Sequence, residues 1–454
     1  MAQTHPNIII VLTDDQGYGD LSCMGDTDFR TPHLDQLAAS GVRFTSWYAN
    51  SPVCSPSRAS LLTGRYPGNA GVRSILGGGR RASAGLPATV PTIATALKSH
   101  GYKTGMMGKW HLGTVDGSRP GDHGFDEWFG FLAGCVDYYS HIFYWAMNNG
   151  GAANDPLHDL WENDTEIWYN GEYLTDLITE RAVQFIRRTS REDSPFFLYV
   201  PYNAPHYPMH APQQYMDRFA DLPWDRQIMA AMLSAVDDGV GAIRAELARQ
   251  GQLENTIIFF MSDNGPSRET RNWLDGRRDP YYGGSSGGLK GHKFSLYEGG
   301  IRVPGIIAWG DHIPAGQILD TPAIAMDIFP TLMAAIDADT IPYDLDGVDL
   351  LPHLTNGIAL PERDIFFEMN GQLAIRRGEW KLVLDGQLVE GEDAIVPVHL
   401  ANLHDDMGEQ HNLVEAHPAI VSDMRRAVQA WYDNVERRWI SEWQPRIQEQ
   451  ITAD

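Results

Sequence analysis

Acidic side chains follow two short apolar runs that lie far apart in the chain. Asp14 and Asp15 follow the first run, and Asp263 and Asn264 follow the second. Carboxylate and amide oxygens, without cysteine or paired histidine, are the ligands that hard cations such as Ca²⁺ and Mg²⁺ prefer. Ligands of open α/β sheets bind beyond the carboxyl ends of the strands, so these four residues are candidate metal ligands. Turns and helix caps use the same residue types, so one pair alone would not indicate a metal site.

A cysteine and an arginine stand four residues apart in Cys54-Ser-Pro-Ser-Arg58. Pro56 suits the first turn of a helix with Ser55 as its N-cap, so the thiol of Cys54 is expected at a helix N-terminus. Backbone amides and the helix dipole favour an anion there, and the spacing places the guanidinium of Arg58 on the same face. A lone cysteine before a helix is most often a buried thiol. The Cys-x-Pro-x-Arg spacing is what makes Cys54 a candidate reactive group.

Four basic residues are further candidates, three after strand-like segments and one in a loop. Lys109 and His111 end one such segment, and their separation of two residues points both side chains to one side of an extended backbone. His206 follows the apolar run 196–200, and Lys293 lies in a glycine-rich loop. Single lysines and histidines are usually solvated or packing residues. Gathered at one edge of a sheet, these four side chains would form a locally positive site for an anion within an acidic protein.

The elements that must position these residues alternate between strand and helix. Continuous apolar runs, typical of strands buried on both faces of a parallel sheet, lie at residues 7–12, 196–200, 256–261 and 305–309. Helical patterns lie at residues 92–100, 177–189, 225–250 and 325–336. This alternation predicts a layered α/β fold with right-handed crossovers. The loop-rich stretches 113–172 and 266–300 are expected to surround the mouth of a site.

The pattern changes after residue 360. Short strands of a meander are predicted at residues 365–369, 373–376 and 380–384, and an amphipathic helix is predicted at 424–439. We therefore predict two domains, a large α/β domain over residues 1–360 and a small domain, an antiparallel sheet plus a helix, over residues 361–454.

Composition excludes several classes of protein. The chain has 454 residues, of which 43% are hydrophobic and 10% aromatic, and such a chain buries a large core and is not disordered. Its 35 basic and 59 acidic residues give a net charge of -24, which repels a nucleic-acid backbone. No apolar run of 18 or more residues is present, so no membrane partner is expected.

The first residues and the number of cysteines bear on the cellular compartment and on disulfide bonds. The first residues show no secretory signal, so the protein as written is expected to be cytoplasmic, or periplasmic or secreted if a signal peptide was trimmed. Three cysteines are too few for a disulfide scaffold. A pairing of Cys23 with Cys135 is left open.

Together the motifs resemble those of the formylglycine-dependent (type I) sulfatases, the arylsulfatase family of the alkaline-phosphatase superfamily. The motifs run in family order from residue 7 to about 310. They are Asp14-Asp15-Gln-Gly-Tyr-Gly-Asp20, Cys54-Ser-Pro-Ser-Arg58, Gly108-Lys109-Trp-His111-Leu-Gly113, Pro205-His206, Ser262-Asp263-Asn264-Gly265, and the segment from Lys293 through Glu298-Gly-Gly-Ile-Arg-Val-Pro304. The resemblance implies an alkaline-phosphatase-like α/β fold. Its mixed, mostly parallel sheet would be sandwiched by helices and followed by a smaller C-terminal α+β domain.

The resemblance also implies an activity. In this family a formylglycine-generating enzyme oxidises the cysteine of Cys-x-Pro-x-Arg, so Cys54 is expected to become a formylglycine. One hydroxyl of its hydrate would attack sulfur and form a covalent sulfo-enzyme, which divides one difficult displacement into two steps. The expected substrate is a small aryl or carbohydrate sulfate ester, hydrolysed to an alcohol and inorganic sulfate.

By the same resemblance, the metal would be Ca²⁺, with Mg²⁺ as an alternative. Its ligands would be Asp14, Asp15, Asp263 and Asn264. The cation would lower the pKa of the attacking hydroxyl and polarise a sulfate oxygen.

Five other positions match family residues in the same way. Arg58 and Lys109 would hold the formylglycine oxygens, and His111 would remove a proton from the second hydroxyl to expel sulfate. His206 and Lys293 would contact the sulfate and its bridging oxygen, and supply a proton or positive charge to the leaving alcohol.

Two other functions compete with a sulfatase. A phosphonate monoester or phosphodiester hydrolase of the same superfamily also carries Cys-x-Pro-x-Arg, but such enzymes typically lack the pair formed here by Lys109 and His111. A non-catalytic protein that binds sulfated glycans would have lost catalytic positions, and none is lost here. The sequence leaves open the oligomeric state and the identity of the alcohol. It also leaves open the roles of the loop residues Arg80, Arg81, Asp137, His141 and Lys290.

Overall fold

The computed structural model describes residues 5–25, 27–78, 85–144, 156–268, 282–338, 343–389 and 396–447. The strands in these ranges are β1 (Asn7–Thr13), β2 (Val42–Phe44), β3 (Trp47–Tyr48), β4 (Lys103–Lys109), β5 (Glu127–Phe131), β6 (Ile142–Phe143), β7 (Leu157–His158), β8 (Trp161–Glu162), β9 (Thr165–Glu166), β10 (Phe196–Pro201), β11 (Thr256–Ser262), β12 (Gly305–Ala308), β13 (Gln317–Leu319), β14 (Ala323–Ile324), β15 (Asp364–Met369), β16 (Gln372–Arg377), β17 (Trp380–Gly386) and β18 (Val396–Asn402).

The α-helices are α1 (Pro32–Ala39), α2 (Cys54–Thr63), α3 (Pro67–Ala70), α4 (Ile93–Ser99), α5 (Leu174–Thr189), α6 (Gln213–Met216), α7 (Trp224–Arg249), α8 (Glu298–Ile301), α9 (Ile328–Ala335), α10 (Leu351–Asn356) and α11 (Pro418–Arg438). Short 3₁₀ turns lie at Tyr18–Asp20, Ser22–Met24, Pro120–His123, Asp217–Phe219, Gly310–His312 and Ala325–Asp327, and a π-turn lies at Trp439–Trp443. Among the helices in the described ranges, none is long and apolar enough to cross a membrane.

A ten-stranded mixed sheet forms the centre of the molecule, in the order β13-β2-β12-β11-β1-β10-β4-β5-β8-β9. β1 lies in its middle and pairs in parallel with β10 on one side and β11 on the other. Every residue of these three strands is buried, which explains their continuous apolar sequences. The carboxyl ends of three neighbouring strands therefore meet at one edge of the sheet.

Helices cover both faces of this sheet. Alternate residues of β1 point to opposite sides, so Ile9 and Val11 pack into the core beneath α1, α5 and α7, while Ile8 and Ile10 pack into the core beneath α2, α4 and α9. Five of the nine strand pairings in the sheet are parallel. The α/β fold class predicted from the sequence is confirmed.

The structure differs from the prediction in one strand direction, in the number of strands in the small sheet and in the start of one helix. The run near residue 305 forms β12, which is antiparallel to β11, because burial on both faces does not encode strand direction. The small sheet, in the order β15-β16-β17-β18, has one strand more than predicted, since polar residues such as His399 interrupt the apolar pattern of β18. α11 begins at Pro418, six residues before the predicted start, because proline fits the first helical turn. Within the described residues, Cys23, Cys54 and Cys135 form no disulfide, so Cys23 and Cys135 are not paired with each other.

A buried ion-pair network joins the small sheet to the large domain. Lys381 of β17 places its Nζ 2.8 Å from Glu298 Oε1 and 3.2 Å from Glu409 Oε1, and all three side chains are fully buried. The backbone N–H of Glu298, the first residue of α8, donates to Glu409 Oε2 at 2.6 Å. Burial works to raise the pKa of Glu298, but Lys381, Arg302 and Arg376 outweigh it and hold the pKa low. Glu298 is therefore a buried carboxylate whose charge depends on these cations.

Removing Lys381 tests this network. Lys381→Ala leaves two carboxyl groups buried without their shared cation, so we expect the free energy of unfolding to fall by about 3–5 kcal/mol. Urea unfolding followed by tryptophan fluorescence measures the change. The control, Lys98→Ala, removes a half-exposed ion pair with Asp126 and is expected to cost less than about 1 kcal/mol. Equal losses in the two variants would contradict the anchoring role of Lys381.

Candidate active site

The register of the central strands brings the acidic residues together. Thr13 of β1 pairs with Ser262 of β11, so the residues that follow each strand leave the sheet side by side. The backbone N–H of Asp263 donates to Thr13 O at 3.0 Å, and the N–H of Asp15 donates to Asp263 Oδ1 at 3.2 Å. Asp14, Asp15, Asp263 and Asn264 are all buried. The sequence prediction placed these four residues at one edge of the sheet, and the structure does the same.

Cys54 is the first residue of α2, and its Sγ lies 3.2 Å from Asp14 Oδ1. The predicted N-cap, Ser55, was wrong: Val53 is the N-cap, and the Oγ of Ser55 instead accepts a hydrogen bond from the N–H of Leu76 at 3.1 Å. Burial, reinforced by the nearby carboxylates of Asp14 and Asp263, raises the pKa of the Cys54 thiol well above its usual value. The unmodified thiol is therefore protonated at neutral pH and is a poor nucleophile.

Two buried cations lie against these carboxylates. Arg58 donates through Nε and Nη2 to Asp263 Oδ2, at 3.0 and 2.8 Å, and its Nη2 lies 3.5 Å from Asp14 Oδ1. Lys109 Nζ donates to Asp14 Oδ2 at 2.6 Å. Burial works to lower the pKa of Lys109 and of Arg58, but the carboxylates outweigh it and raise both. Both side chains therefore stay charged and hold the aspartates beside Cys54 in place.

Lys293 and His206 form a second basic pair on the other carboxylate. Lys293 Nζ lies 3.0 Å from Asp15 Oδ2 and 3.2 Å from His206 Nε2. His206 Nδ1 lies 2.7 Å from Tyr207 O. A carbonyl oxygen only accepts, so Nδ1 carries the proton and Nε2 presents its lone pair toward the ammonium group. The buried pair thus offers an anion the positive charge and the N–H groups of Lys293, whose ammonium is oriented by His206 and Asp15.

His111 presents a nitrogen without a partner. Its Nε2 lies 3.1 Å from Leu76 O and therefore donates, while its Nδ1 is buried and accepts no hydrogen bond from the described residues. Burial, with Lys109 and Arg58 nearby, lowers the pKa of His111 well below its usual value. The ring is neutral at pH 7 and able to accept a proton. A Cβ at residue 134 would lie 2.8 Å from this ring, which explains Gly134.

The backbone at His111 differs from the prediction. The sequence interpretation assumed extended backbone from Lys109 to His111, with both side chains on one side. β4 ends at Lys109, and His111 has a φ of 54°, in the left-handed region. The tight turn after the strand, not strand alternation, sets the direction of the imidazole.

A hard cation fits the acidic cluster. Asn264 Nδ2 donates to Asp15 Oδ1 at 2.7 Å, and its Oδ1 is buried with no hydrogen-bond donor among the described residues. Burial and the adjacent Asp14 raise the pKa of Asp263, a sign of repulsion between carboxylates that a cation would relieve. One ligand atom from each of four residues lies within 4.8 Å of the others: Asp14, Asp15, Cys54 and His206. Two of these four atoms are carboxylate oxygens, and Asp263 and Asn264 bring further oxygen donors against Asp15, as a hard divalent cation prefers.

The loop residues with undetermined roles are mostly bound within the protein. Asp137 Oδ1 accepts the N–H groups of Tyr139 and Ser140, and its Oδ2 lies 3.4 Å from His210 Nδ1. His141 bonds to Glu172 O and Lys290 bonds to Glu409 O. Arg80 and Arg81 lie outside the described residues.

The sequence prediction missed Tyr138, whose hydroxyl donates to the backbone oxygens of Asn203 and His206 at 2.9 Å each. Tyr138 therefore fixes the turn that carries His206. Its position beside Asp137, within the loop predicted to line the outer pocket, was the available signal. A buried tyrosine next to such a loop is otherwise indistinguishable in sequence from a core residue.

Comparison with known proteins identifies the family. A family model described as Sulfatase matches residues 6–338. The mouse N-acetylgalactosamine-6-sulfatase is 34% identical over 397 residues, covering 83% of this chain and 71% of the mouse protein. Human arylsulfatase A is 34% identical over 449 residues, covering 90% of this chain and 83% of the human protein.

A solved structure matches over nearly the whole chain. The crystal structure of Ps i-CgsB in complex with k-i-k-neocarrahexaose superposes with a TM-score of 0.82 at 33% identity, covering 94% of this chain and 93% of that chain. The family resemblance carried by the sequence motifs is therefore confirmed. This chain belongs to the sulfatase family, whose members are sulfuric ester hydrolases.

Proposed function

We propose that this sulfatase hydrolyses the sulfate ester of a carbohydrate, and that a formylglycine-generating enzyme first oxidises Cys54. The observation that carries the proposal is the setting of Cys54. Its Sγ lies 3.2 Å from Asp14, at the start of a helix whose residues are all buried. The raised pKa of the thiol makes the unmodified cysteine unsuited to attack sulfur, whereas a hydrated aldehyde would supply an oxygen nucleophile there.

The buried basic residues then have separate tasks. Lys109 donates a hydrogen bond to Asp14 and Arg58 donates to Asp263, so both carboxyl groups are held beside position 54 and the attacking group is held in one place. Lys293, charged and in contact with His206, would stabilise the negative charge that develops on the leaving oxygen. These groups are arranged before substrate binds, and burial strengthens their interaction with an anion.

His111 completes the set as a proton acceptor. Its Nδ1 lone pair is buried and unused among the described residues, and its depressed pKa keeps the ring neutral. A neutral imidazole that is already hydrogen-bonded through Nε2 takes up a proton at Nδ1 without turning. We assign His111 as the base that regenerates the aldehyde and releases inorganic sulfate.

We propose that Ca²⁺ is the resident cation, with Asp14, Asp15, Asp263 and Asn264 as its ligands. The oxygen donors and the orphaned Oδ1 of Asn264 support this assignment. When bound, the ion would lower the pKa of the attacking hydroxyl and polarise a sulfate oxygen. The cluster holds three carboxylates (Asp14, Asp15, Asp263) and three basic groups (Arg58, Lys109, Lys293). A divalent cation would leave the site net positive, which suits an anionic ester.

An aromatic pair with an exposed tryptophan, and the similarity to Ps i-CgsB, favour a saccharide. His141 contacts His158 with ring centroids 6.3 Å apart, and His158 in turn contacts Trp168. Trp168 is 60% exposed and stacks on His158 with ring centroids 3.6 Å apart. An exposed aromatic face of this kind, in the loop-rich stretch expected to surround the mouth of the site, can stack on a ring-shaped ligand. Ps i-CgsB was solved with a carbohydrate bound, and its similarity supports the same substrate class here.

Cys54 variants test the nucleophile. We expect Cys54→Ala to lower kcat by at least about 10³-fold, because the residue that forms the covalent bond is lost. The thermal unfolding temperature should stay within a few degrees of that of the parent. The control, Cys23→Ala, removes a half-buried thiol outside the site and should leave kcat unchanged. Peptide mass spectrometry of the active protein should show an aldehyde at position 54, and an active preparation with only thiol there would contradict the proposal.

Calcium binding is tested by stability as well as by activity. Calcium at a hundred-fold excess over its Kd should stabilise chelator-treated protein by about 2.7 kcal/mol. Asn264→Ala should remove most of this increment because it deletes a ligand. The control, Asn434→Ala, changes an exposed asparagine of α11 and should retain the increment. Protein shown by elemental analysis to lack calcium, yet with unchanged stability and turnover, would refute the cation assignment.

A further inference from the structure

The peptide segment that carries Lys293 has an unusual backbone. Phe294, the next residue, has a φ of 73°, a conformation that side chains other than glycine rarely adopt. Such a conformation persists only where surrounding contacts enforce it. The N–H of Lys293 donates to Pro266 O and the N–H of Phe294 donates to Pro52 O, both at 3.0 Å. These two bonds fix the N–H groups of Lys293 and Phe294 to the large domain.

Gln372, in β16 of the small sheet, binds the next two peptide groups of the turn. Gln372 is buried, with 1% of its surface exposed. Its Nε2 donates to Phe294 O at 2.7 Å, and its Oε1 accepts the N–H of Leu296 at 3.3 Å. Oε1 also accepts the N–H of Gln387 at 3.0 Å, which fixes the amide plane. One side chain therefore binds peptide groups on both sides of Ser295.

Further contacts from the small sheet surround the same turn. The N–H of His292 donates to Leu388 O at 3.0 Å, and the hydroxyl of Ser295 donates to Gln387 O. Both partners contribute only backbone atoms to these bonds. Gln372, by contrast, bonds to this turn through its side chain.

From these contacts we infer that Gln372 is a positioning residue for Lys293, and that the small domain proposed for residues 361–454 takes part in the reaction through it. The inference rests on the proposed role of Lys293 at the leaving oxygen. With its backbone held in this turn, Lys293 Nζ lies 3.0 Å from Asp15 Oδ2 and 3.2 Å from His206 Nε2. Loss of the bond to Phe294 O would free the strained peptide and displace the ammonium group.

A double-mutant cycle tests the inference. We expect Gln372→Ala to lower kcat about 10–100-fold with little change in KM, as is usual for residues that orient a functional group. In a Lys293→Ala background the same substitution should have no further effect on kcat, because its target is gone. The loss should also be larger for a sugar or alkyl sulfate than for a nitrophenyl sulfate, whose leaving oxygen needs less stabilisation.

Controls separate positioning from folding. Gln387→Ala is the matched control, since Gln387 uses its backbone for these bonds, and it should retain the parent kcat. If Gln372→Ala does not fold, Gln372→Glu keeps the acceptor oxygen for Leu296 and Gln387 but loses the donor to Phe294, and should show the same loss of kcat. Equal effects of Gln372→Ala with and without Lys293, or equal effects on both esters, would overturn the inference. A Lys293→Ala variant with normal turnover would refute the proposed role of Lys293 itself, and with it the inference.

Discussion

Asp14 and Asp263 meet in a place that water does not reach, because the carboxyl ends of β1 and β11 lie side by side in the middle of a sheet covered on both faces. Two buried carboxylates this close repel each other, and their charge has to be balanced within the protein. Arg58 and Lys109 supply that balance at 2.6 to 2.8 Å. The rest of the site is arranged around this buried charge cluster.

The cluster explains how a protein with a net charge of -24 holds an anionic substrate. The site pairs its three carboxylates with an equal number of basic groups, so a divalent cation bound there would make it net positive within an acidic protein. The same burial keeps the Cys54 thiol protonated and His111 neutral. An unmodified thiol at this position would have little nucleophilic reactivity, which gives the proposed oxidation of Cys54 a physical reason.

The sequence predicted the parts of the site that depend on local pattern. Buried parallel strands have continuous apolar sequences, so the strand ends that carry Asp14 and Asp263 were visible from the sequence. The positive φ of His111 could not be predicted, because the histidine at this position does not by itself indicate a left-handed backbone. Gln372 and Lys381 were not found from the sequence for another reason. Gln372 bonds to Leu296 and Lys381 bonds to Glu298, partners that lie 76 and 83 residues away in the chain. No local spacing of residues indicates contacts over such separations.

A comparison of two substrates tests whether this buried arrangement acts on sulfate esters. The protein would be co-produced with a formylglycine-generating enzyme and assayed with a nitrophenyl sulfate and the matching nitrophenyl phosphonate monoester. Our account predicts a higher kcat/KM for the sulfate, because Lys109 and His111 accompany Cys54. A higher kcat/KM for the phosphonate would contradict it and would assign the site to phosphonate ester hydrolysis.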